Sequence, residues 1–399
     1  MITPFSSSRR RLLLAAGSAP LISGVPTLLH AQNAPIRIAL LTSLTGPYAS
    51  LGASMRAGLE LLLAQAGHQM AGRKVELLVE DDHGKPDEAL RKVRKLIAHD
   101  KIDVLCGVIS ANIALAIRDV VHDAELPTFI ANAAANGLAR EAASPYVFRP
   151  TKTSWMLGHT GALWTHERIE KSGGITLAAD YTAGREYIDD FAHTYQELGG
   201  SLGERIWTPL GTSDFAPLIM KLAATNPKFV YTFLAGADAV RFHQQMKDYR
   251  LQGKIRIIGP GALYDQEDVV PAVGEAALGG VSTFHQSPGA PGSQAFVAAY
   301  QAARNRLPGE ASTSGYVAGQ VIQAGIEAVQ GAVDDRKAFK QSLLEKPIAT
   351  AFGPLQFDPR NNQSILDIYV NEVRSDADGK PFNTVIHTYP RIQDPGPKS

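Results

Sequence analysis

Apolar runs and segments with helical periodicity alternate along most of the chain. The apolar run that starts at Ile36 predicts a buried strand. Met55, Leu59, Leu62 and Leu63 recur at the spacing of one helix face and predict the helix that follows. The alternation continues with helices starting near residues 86 and 113 and with strands predicted at residues 75–80, 104–108, 128–131 and 146–149. Repeated strand–helix units of this length predict a parallel, doubly wound sheet.

The same alternation restarts after residue 174 and predicts a second lobe. Its predicted strands are residues 175–179, 205–209, 229–233 and 255–259, and its predicted helices are residues 185–198, 215–224 and 238–249. The last third adds helices at residues 294–305, 315–329 and 336–344 and strands at residues 355–357, 368–373 and 384–387, which must return to one lobe or the other. The predicted fold class is therefore α/β, with two doubly wound, Rossmann-like lobes.

The first 31 residues have the order of a secretory signal peptide. Arg9, Arg10 and Arg11 precede an apolar segment, and the small residue Ala31 follows it. The paired arginines favour the twin-arginine export route. A membrane anchor is disfavoured because two prolines and two glycines interrupt the segment, which falls short of the ~20 residues of a comfortable span. We expect cleavage after Ala31 and a soluble periplasmic protein, without a lipid anchor because no cysteine lies near that site.

The composition limits the partners of the chain. Its 399 residues include 39 Lys and Arg and 39 Asp and Glu, and no basic stripe of the kind that binds nucleic acid is present. The length exceeds one ordinary core and predicts two domains. The one cysteine, Cys106, lies in a predicted strand interior, where a buried, unreactive thiol is expected. We expect a monomer.

Motifs of catalysis and cofactor binding are missing from the sequence. We find no phosphate-binding glycine-rich loop, no dinucleotide fingerprint and no nucleophile or zinc-protease motif. The most metal-like cluster is Asp81, Asp82 and His83, but adjacent residues on an extended chain point to opposite sides and do not converge on one ion. A solvated turn is predicted there instead. The sequence therefore predicts neither an enzyme nor a bound cofactor or metal.

Three loops at the carboxyl ends of first-lobe strands are rich in small polar residues. They cover residues 42–52, 109–112 and 131–136. Ligands of open parallel sheets bind at this edge, where helix N-termini offer free N–H groups. The alternative is that these Ser, Thr and Asn residues only cap helices. Because three such loops occupy equivalent positions, we expect a ligand site there.

Short segments spread over nearly the whole chain after residue 31 carry a resemblance to known proteins. They are residues 38–52, Gly58, 72–77, 81–82, Pro86, 107–110, 126–128, 180–185, 214–215, 229–231, 259–260, 279–281, Tyr316 and 352–358. In this order they resemble the type I periplasmic binding proteins of the leucine/isoleucine/valine-binding family, which are substrate-binding proteins of ABC transporters.

The resemblance implies two lobes joined by three chain crossings, near Thr151, Phe284 and Gly353. Lobe 1 then comprises residues 32–151 and 284–353, and lobe 2 comprises residues 152–283 and 354–395. It also implies a small-molecule ligand in the cleft between the lobes and an inner-membrane ABC transporter permease as the partner.

The resemblance further implies a set of ligand-binding residues. Ser110 matches the position that binds a ligand carboxylate, although the loop that should add a hydroxyl has only Ala135 at that place. Leu51 replaces an aromatic wall, and Gly261 falls where amino-acid binders place an acid for the α-ammonium group. The full expected set is Tyr48, Leu51, Ser110, Ala111, Ala133, Ala134, Ala135, Tyr181, Phe233, Gly236 and Gly261.

The glycine at position 261 bears on the nature of the ligand. A buried ammonium without a partner costs several kcal/mol, which is comparable with the ~8 kcal/mol of a micromolar complex. Asp238 and Asp265 lie nearby in sequence but not at the matching position. The expected ligand is amino-acid-like or, in preference, a small carboxylate or amide that lacks an α-amino group, aromatic acids included. Its candidate apolar walls are Tyr48, Tyr181 and Phe233. The alternatives are a ligand-sensing receptor of the same fold and, with less support, an exported enzyme.

Overall fold

A computed structural model of the protein describes residues 34–397. The predicted signal peptide, residues 1–31, lies outside the described residues. The strands are β1 (Ile36–Thr42), β2 (Gln69–Met70), β3 (Arg73–Asp81), β4 (Val104–Gly107), β5 (Thr128–Ile130), β6 (Val147–Phe148), β7 (Gly174–Ala179), β8 (Leu202–Thr208), β9 (Phe229–Phe233), β10 (Arg256–Pro260), β11 (Val281–Phe284), β12 (Ile348–Thr350), β13 (Gly353–Asp358), β14 (Gln363–Ser375) and β15 (Pro381–Ile392).

Helices connect most of these strands. They are α1 (Ala49–Gln65), α2 (Pro86–Ala98), α3 (Ala111–Asp123), α4 (Ser154–Arg168), α5 (Thr182–Glu197), α6 (Ala216–Thr225), α7 (Ala237–Asp248), α8 (Val269–Val273), α9 (Gln294–Arg304), α10 (Glu310–Ala328) and α11 (Arg336–Glu345). Within residues 34–397, no helix combines the length and apolar character needed to span a membrane.

The first lobe is built on a six-stranded sheet in the order β2-β3-β1-β4-β5-β6. All neighbours are parallel except the short hairpin of β2 and β3. Strand β1 is almost wholly buried, because helices cover both faces of a parallel sheet. Cys106 on β4 is fully buried and free, as predicted, and burial raises the pKa of its thiol to about 12.

Part of the C-terminal third returns to this lobe. Helix α10 packs closely against α1 because small residues line their contact. A Cβ atom added at Gly58 would lie 1.8 Å from the carbonyl oxygen of Ser312, and one added at Gly315 would lie 2.2 Å from that of Met55. Any larger residue at these glycines would therefore push the two helices apart.

The second lobe contains a nine-stranded mixed sheet. Its order is β12-β13-β14-β11-β10-β9-β7-β8, with β15 paired to β14. The part from β8 to β11 is parallel, and β14 joins it antiparallel to β11. The two-lobed α/β fold predicted from the sequence is confirmed, although the second sheet is mixed and not purely parallel. The sequence offers no crossover helix between β14 and β15, and such a pair can only run antiparallel.

Three segments that are distant in sequence meet at Thr151. The carbonyl oxygen of Thr151 accepts hydrogen bonds from Ser364 Oγ at 3.0 Å and from the side-chain amide of Gln363. The Thr151 hydroxyl lies 3.3 Å from Nε2 of His285. Residues 151, 285 and 363–364 therefore form a connected group beside the interlobe cleft. The lobe boundaries and crossings given above stay a prediction.

Several elements differ from the sequence predictions. Helix α10 begins at Glu310, not at residue 315, and β14 and β15 extend beyond the predicted residues 368–373 and 384–387. Strands β11 and β12 were not predicted at all. The ends of α10 and of these strands depend on partners that are distant in sequence, which local periodicity does not reveal.

The prediction of a solvated turn at residues 81–83 is wrong for Asp82. Asp82 is completely buried, and its carboxylate accepts a hydrogen bond from Ser43 Oγ at 2.6 Å and from the Gly84 N–H at 2.8 Å. The turn therefore braces the end of β1. In the part of the chain that the structure describes, no group of three or more His, Cys, Asp or Glu side chains could hold a metal ion.

Candidate functional site

A cavity lies between the lobes, at the carboxyl ends of strands from both sheets. It contains about 370 Å³ of space between its atoms when the part open to solvent at its mouth is included. Its lining consists of Tyr48, Leu51, Ile109, Ala111, Asn132, Ala134, Lys152, Tyr181, Ala183, Tyr187, Phe233, Ala235, Ala262 and Glu310.

The first-lobe wall comes from residues at the starts of helices. Tyr48 and Leu51 begin α1, and Ala111 begins α3. Ala134 lies in the loop that follows β5. The topology of the parallel sheet brings these loops to one edge. The side chains of Ala111 and Ala134 are short and apolar, so they leave space in front of the backbone.

The second-lobe wall is aromatic. Tyr181 precedes α5, Tyr187 lies on α5, and Phe233 ends β9. The ring centroids of Tyr187 and Phe233 are 4.4 Å apart, and those of Tyr181 and Phe233 are 6.2 Å apart. Such clusters favour contact with flat apolar groups, and an aromatic pair contributes about 0.5–1.5 kcal/mol beyond the area it buries.

The two walls touch each other across the cavity. The hydroxyl of Tyr48 donates a hydrogen bond to the hydroxyl of Tyr181 at 2.8 Å. Gly236 packs against the first lobe as well, since a Cβ atom there would lie 3.0 Å from the carbonyl oxygen of Pro47. Gly236 also has a positive φ of 53°, which favours glycine. The structure is therefore a closed arrangement of the two lobes.

A buried ion pair forms the polar part of the cavity. Lys152 and Glu310 are 2% and 5% exposed, and the Lys152 ammonium donates to the Glu310 carboxylate. The ammonium also donates to the carbonyl oxygen of Asn132 at 2.9 Å, and the Asn132 side-chain amide donates to Glu310 Oε1 at 3.0 Å. Burial lowers the pKa of Lys152, and the neighbouring carboxylate opposes that shift. An ammonium has three N–H donors, so one remains for a ligand after these two bonds.

Six of the residues expected from the sequence line this cavity. They are Tyr48, Leu51, Ala111, Ala134, Tyr181 and Phe233.

The other five expected residues lie outside its lining. Ser110 precedes α3 and makes no side-chain capping hydrogen bond. The carbonyl oxygens of Ala133 and Ala135 accept hydrogen bonds from the buried Arg149 guanidinium, at 3.0 Å and 2.6 Å. Each of these carbonyl oxygens therefore already has one hydrogen-bond donor from the protein itself. Gly236 forms the interlobe contact described above.

Gly261 lines a neighbouring cavity of about 320 Å³. A Cβ atom at this position would lie 2.3 Å from the ring of Phe284, so no acidic side chain fits there.

The two aspartates considered as substitutes for an acid at position 261 also lie outside the lining. The carboxylate of Asp238 accepts the Gly211 N–H at 2.8 Å and pairs with Arg241 at 3.2 Å. The carboxylate of Asp265 is occupied by backbone N–H groups, among them that of Glu310 at 2.5 Å. In the described part of the chain, the cavity therefore has Glu310 as its only acidic lining residue.

Lys152, Glu310 and the aromatic residue Tyr187 line the cavity but were not among the residues expected from the sequence. Lys152 directly follows the predicted crossing at Thr151, which was the one available signal. Glu310 was missed because it precedes residue 315, where the helix was predicted to begin. Tyr187 faces the cavity from within a helix whose apolar periodicity is equally consistent with a core position.

Two α/β lobes that enclose a cavity lined by both of them are typical of a ligand-binding protein. Comparison with known families agrees: residues 35–380 match the model of the periplasmic binding protein family. The chain belongs to this family, as a substrate-binding protein of the ABC transporter type related to the leucine/isoleucine/valine-binding proteins.

Individual relatives differ in the ligands that their names give. The Leu/Ile/Val-binding protein homolog 6 of Brucella melitensis biotype 1 is 27% identical over 374 residues, which are 91% of this chain and 94% of that protein. A solute-binding protein of an ABC transporter from Rhodopseudomonas palustris BisB5, in complex with 3,4-dihydroxybenzoic acid, is 26% identical with a TM-score of 0.86, over 90% of this chain and 99% of the other. One from R. palustris in complex with benzoate is 28% identical with a TM-score of 0.84, over 91% and 99%.

Proposed function

We propose that this protein captures a small aromatic carboxylate, of the size of a hydroxybenzoate, between its lobes and delivers it to an inner-membrane ABC transporter permease. One observation carries the proposal. The cavity has an aromatic wall on one side and the buried Lys152 ammonium, with one unused N–H donor, on the other.

The charges of the cavity disfavour an α-amino acid. Such a ligand would place its ammonium beside that of Lys152, so that Glu310, the one acidic lining residue in the described part of the chain, would have to serve two ammonium groups. A buried ammonium that is not compensated costs several kcal/mol. That cost would remove most of the ~8 kcal/mol of a micromolar complex. A carboxylate, in contrast, finds a donor in Lys152.

The walls of the cavity favour a flat ring. Tyr181, Tyr187 and Phe233 provide apolar faces against which a ring can pack. The two Rhodopseudomonas proteins described above, which bind aromatic acids, give independent support to the same ligand class.

Capture by this mechanism requires no chemical step. The ligand touches both lobes, so it binds the closed arrangement more tightly than the open one and shifts the population toward closure. The closed arrangement is what the permease would recognise. Export through the twin-arginine route, cleavage after Ala31, a periplasmic location and a monomeric state belong to the same proposal.

Calorimetric titration of the purified protein tests the ligand class. The panel consists of benzoate, 4-hydroxybenzoate and 3,4-dihydroxybenzoate, with cyclohexanecarboxylate as a non-aromatic acid, benzamide as an uncharged ring and leucine as an α-amino acid. We expect micromolar or tighter binding of at least one benzoate and none of leucine. Tight binding of leucine with no response to the benzoates would refute the proposal. Mass spectrometry of ligand released on denaturation checks the same point without a chosen panel.

A further inference from the structure

A short acidic loop of the second lobe reaches across to the first lobe. It consists of residues 265–268, and we call it the acidic loop; it follows β10 and precedes α8. Asp265 and Glu267 are each 5% exposed. Their carboxylates lie outside the ligand cavity, and the capture mechanism described above does not use them.

Two of these carboxylates bind the N-terminus of helix α10. Asp265 Oδ2 accepts the Glu310 N–H at 2.5 Å, and Glu267 Oε2 accepts the Gly309 N–H at 3.2 Å. Helix α10 packs on α1 in the first lobe. The residue before α10 is Gly309, which has no side-chain oxygen to cap the helix. The other lobe therefore supplies an acceptor for the Glu310 N–H and a second acceptor for the Gly309 N–H, which also donates to Ser312 Oγ at 2.9 Å.

The acidic loop makes further contacts with donors of the first lobe. Glu267 Oε1 accepts the Tyr300 hydroxyl at 2.7 Å and pairs with Arg306 at 2.9 Å. Asp268 Oδ2 accepts the Ser50 hydroxyl at 3.0 Å. Each acid of the loop thus meets a donor from the opposite lobe.

Glu310 connects this interface with the ligand cavity. Its backbone N–H is bound by Asp265 of the second lobe, and its side chain lines the cavity and pairs with Lys152. We propose that the acidic loop is the closing latch of the protein: Asp265 and Glu267 cap α10 when the lobes close and thereby position Glu310 in the cavity. The latch depends on the proposed function in one respect, which is that the lobes close when the ligand is captured.

The latch predicts how affinity changes when its acceptors are removed. In an open arrangement the Glu310 N–H would face water, and closure exchanges that water for the fixed carboxylate of Asp265, whereas the Gly309 N–H keeps its bond to Ser312 Oγ. The double variant Asp265→Ala, Glu267→Ala should therefore bind 4-hydroxybenzoate about 10- to 100-fold more weakly, mainly through faster dissociation, because the closed state alone loses contacts.

Hydrogen–deuterium exchange of the peptide that contains residues 309–313 measures the latch directly. In the wild type, 4-hydroxybenzoate should slow exchange in this peptide, and the double variant should lose that protection. The matched control is Asp335→Ala, which removes a cap of α11: Asp335 accepts the Ala338 N–H at 2.9 Å. This control should lower the melting temperature without changing the exchange of residues 309–313 or the dissociation rate.

The outcomes separate the latch from the ligand class. If 4-hydroxybenzoate does not bind the wild type, the proposed function fails. The latch is then tested with leucine as the ligand or, without any ligand, by whether residues 309–313 exchange faster in the double variant than in the wild type. If that variant does not fold, Asp265→Asn and Glu267→Gln take its place. Equal exchange at residues 309–313 in the wild type and the variants, or a loss of affinity no greater than that of Asp335→Ala, would overturn the latch.

Discussion

Replacing Lys152 by methionine removes the ammonium from the candidate cavity and keeps most of the side-chain length. The ammonium lies against Glu310, the Asn132 carbonyl oxygen and, at 5.9 Å, the ring of Phe284. Removing one member of a buried ion pair leaves the other without compensation, which typically costs about 3–5 kcal/mol of folding stability. Lys152→Met alone should therefore lower the melting temperature clearly.

Lys152→Met should also weaken ligand binding. A hydrogen bond from a charged donor contributes about 1.5–3 kcal/mol, so its loss should weaken the binding of 4-hydroxybenzoate by roughly 10- to 150-fold. A single variant does not distinguish this loss from damage to the fold. The double variant Lys152→Met, Glu310→Met does, because replacing both partners of a buried pair by apolar groups is often neutral or stabilising.

Melting curves and calorimetric titration of the wild type and both variants give the answer. We expect the double variant to regain most of the stability that Lys152→Met loses, but not the affinity. If the double variant is stable and binds 4-hydroxybenzoate as tightly as the wild type, Lys152 does not contact the ligand carboxylate. The assignment of the polar part of the cavity would then be wrong.

Three further predictions address the lobe contact, pH and packing. Tyr48→Phe removes the 2.8 Å hydroxyl bond between the lobes and should weaken ligand binding about 2- to 12-fold in titration, from a bond worth roughly 0.5–1.5 kcal/mol. Burial raises the pKa of Glu186 from 4.5 to about 7. The folded protein therefore holds this proton more tightly than the unfolded chain, and the stability that results is full below about pH 4.5 and is lost as the pH rises through 7. The melting temperature should therefore fall between about pH 4.5 and 7, and Glu186→Gln should make that fall smaller. Gly52→Ala should destabilise by about 1–3 kcal/mol or more in denaturant unfolding, because its Cβ would lie 1.8 Å from a backbone carbonyl oxygen.

Each of these predictions has a control elsewhere in the fold. Tyr316→Phe breaks a 2.7 Å bond to Gln65 within one lobe and should leave affinity unchanged; a loss equal to that of Tyr48→Phe would contradict the interlobe reason. Glu197→Gln alters an exposed residue of the same helix as Glu186 and should keep the pH slope. Gly203→Ala meets its nearest atom at 3.4 Å; if it destabilises as much as Gly52→Ala, close packing is not the cause.

Parts of the candidate site could be predicted because they follow from local pattern and topology. Tyr48 and Leu51 follow the first strand, and Tyr181 and Phe233 follow or end strands of the second lobe. The carboxyl ends of parallel strands meet at one edge of a sheet. The eleven individual residues were expected from the family resemblance, and six of them line one cavity.

The remaining expected residues depended on details that the sequence does not show. Ala133 and Ala135 lie in a loop at the correct edge, but their carbonyl oxygens bind Arg149, whose side chain is fully buried. Gly261 leaves room for the ring of Phe284 rather than for a ligand. Which way a backbone group points within a loop is decided by such contacts and not by the composition of the loop.

The two-lobed α/β fold and the edge at which a ligand site would form could be read from the amino-acid order alone, because apolar periodicity and the order of strands and helices are local properties. The chemistry of that site, in contrast, depends on contacts between distant segments. Lys152 and Glu310 are 158 residues apart in the chain, and neither belongs to a motif. They meet because α10 returns to the first lobe and is capped by carboxylates of the second. A buried charge persists only where the fold brings it a partner, and the choice of that partner depends on contacts between distant parts of the chain.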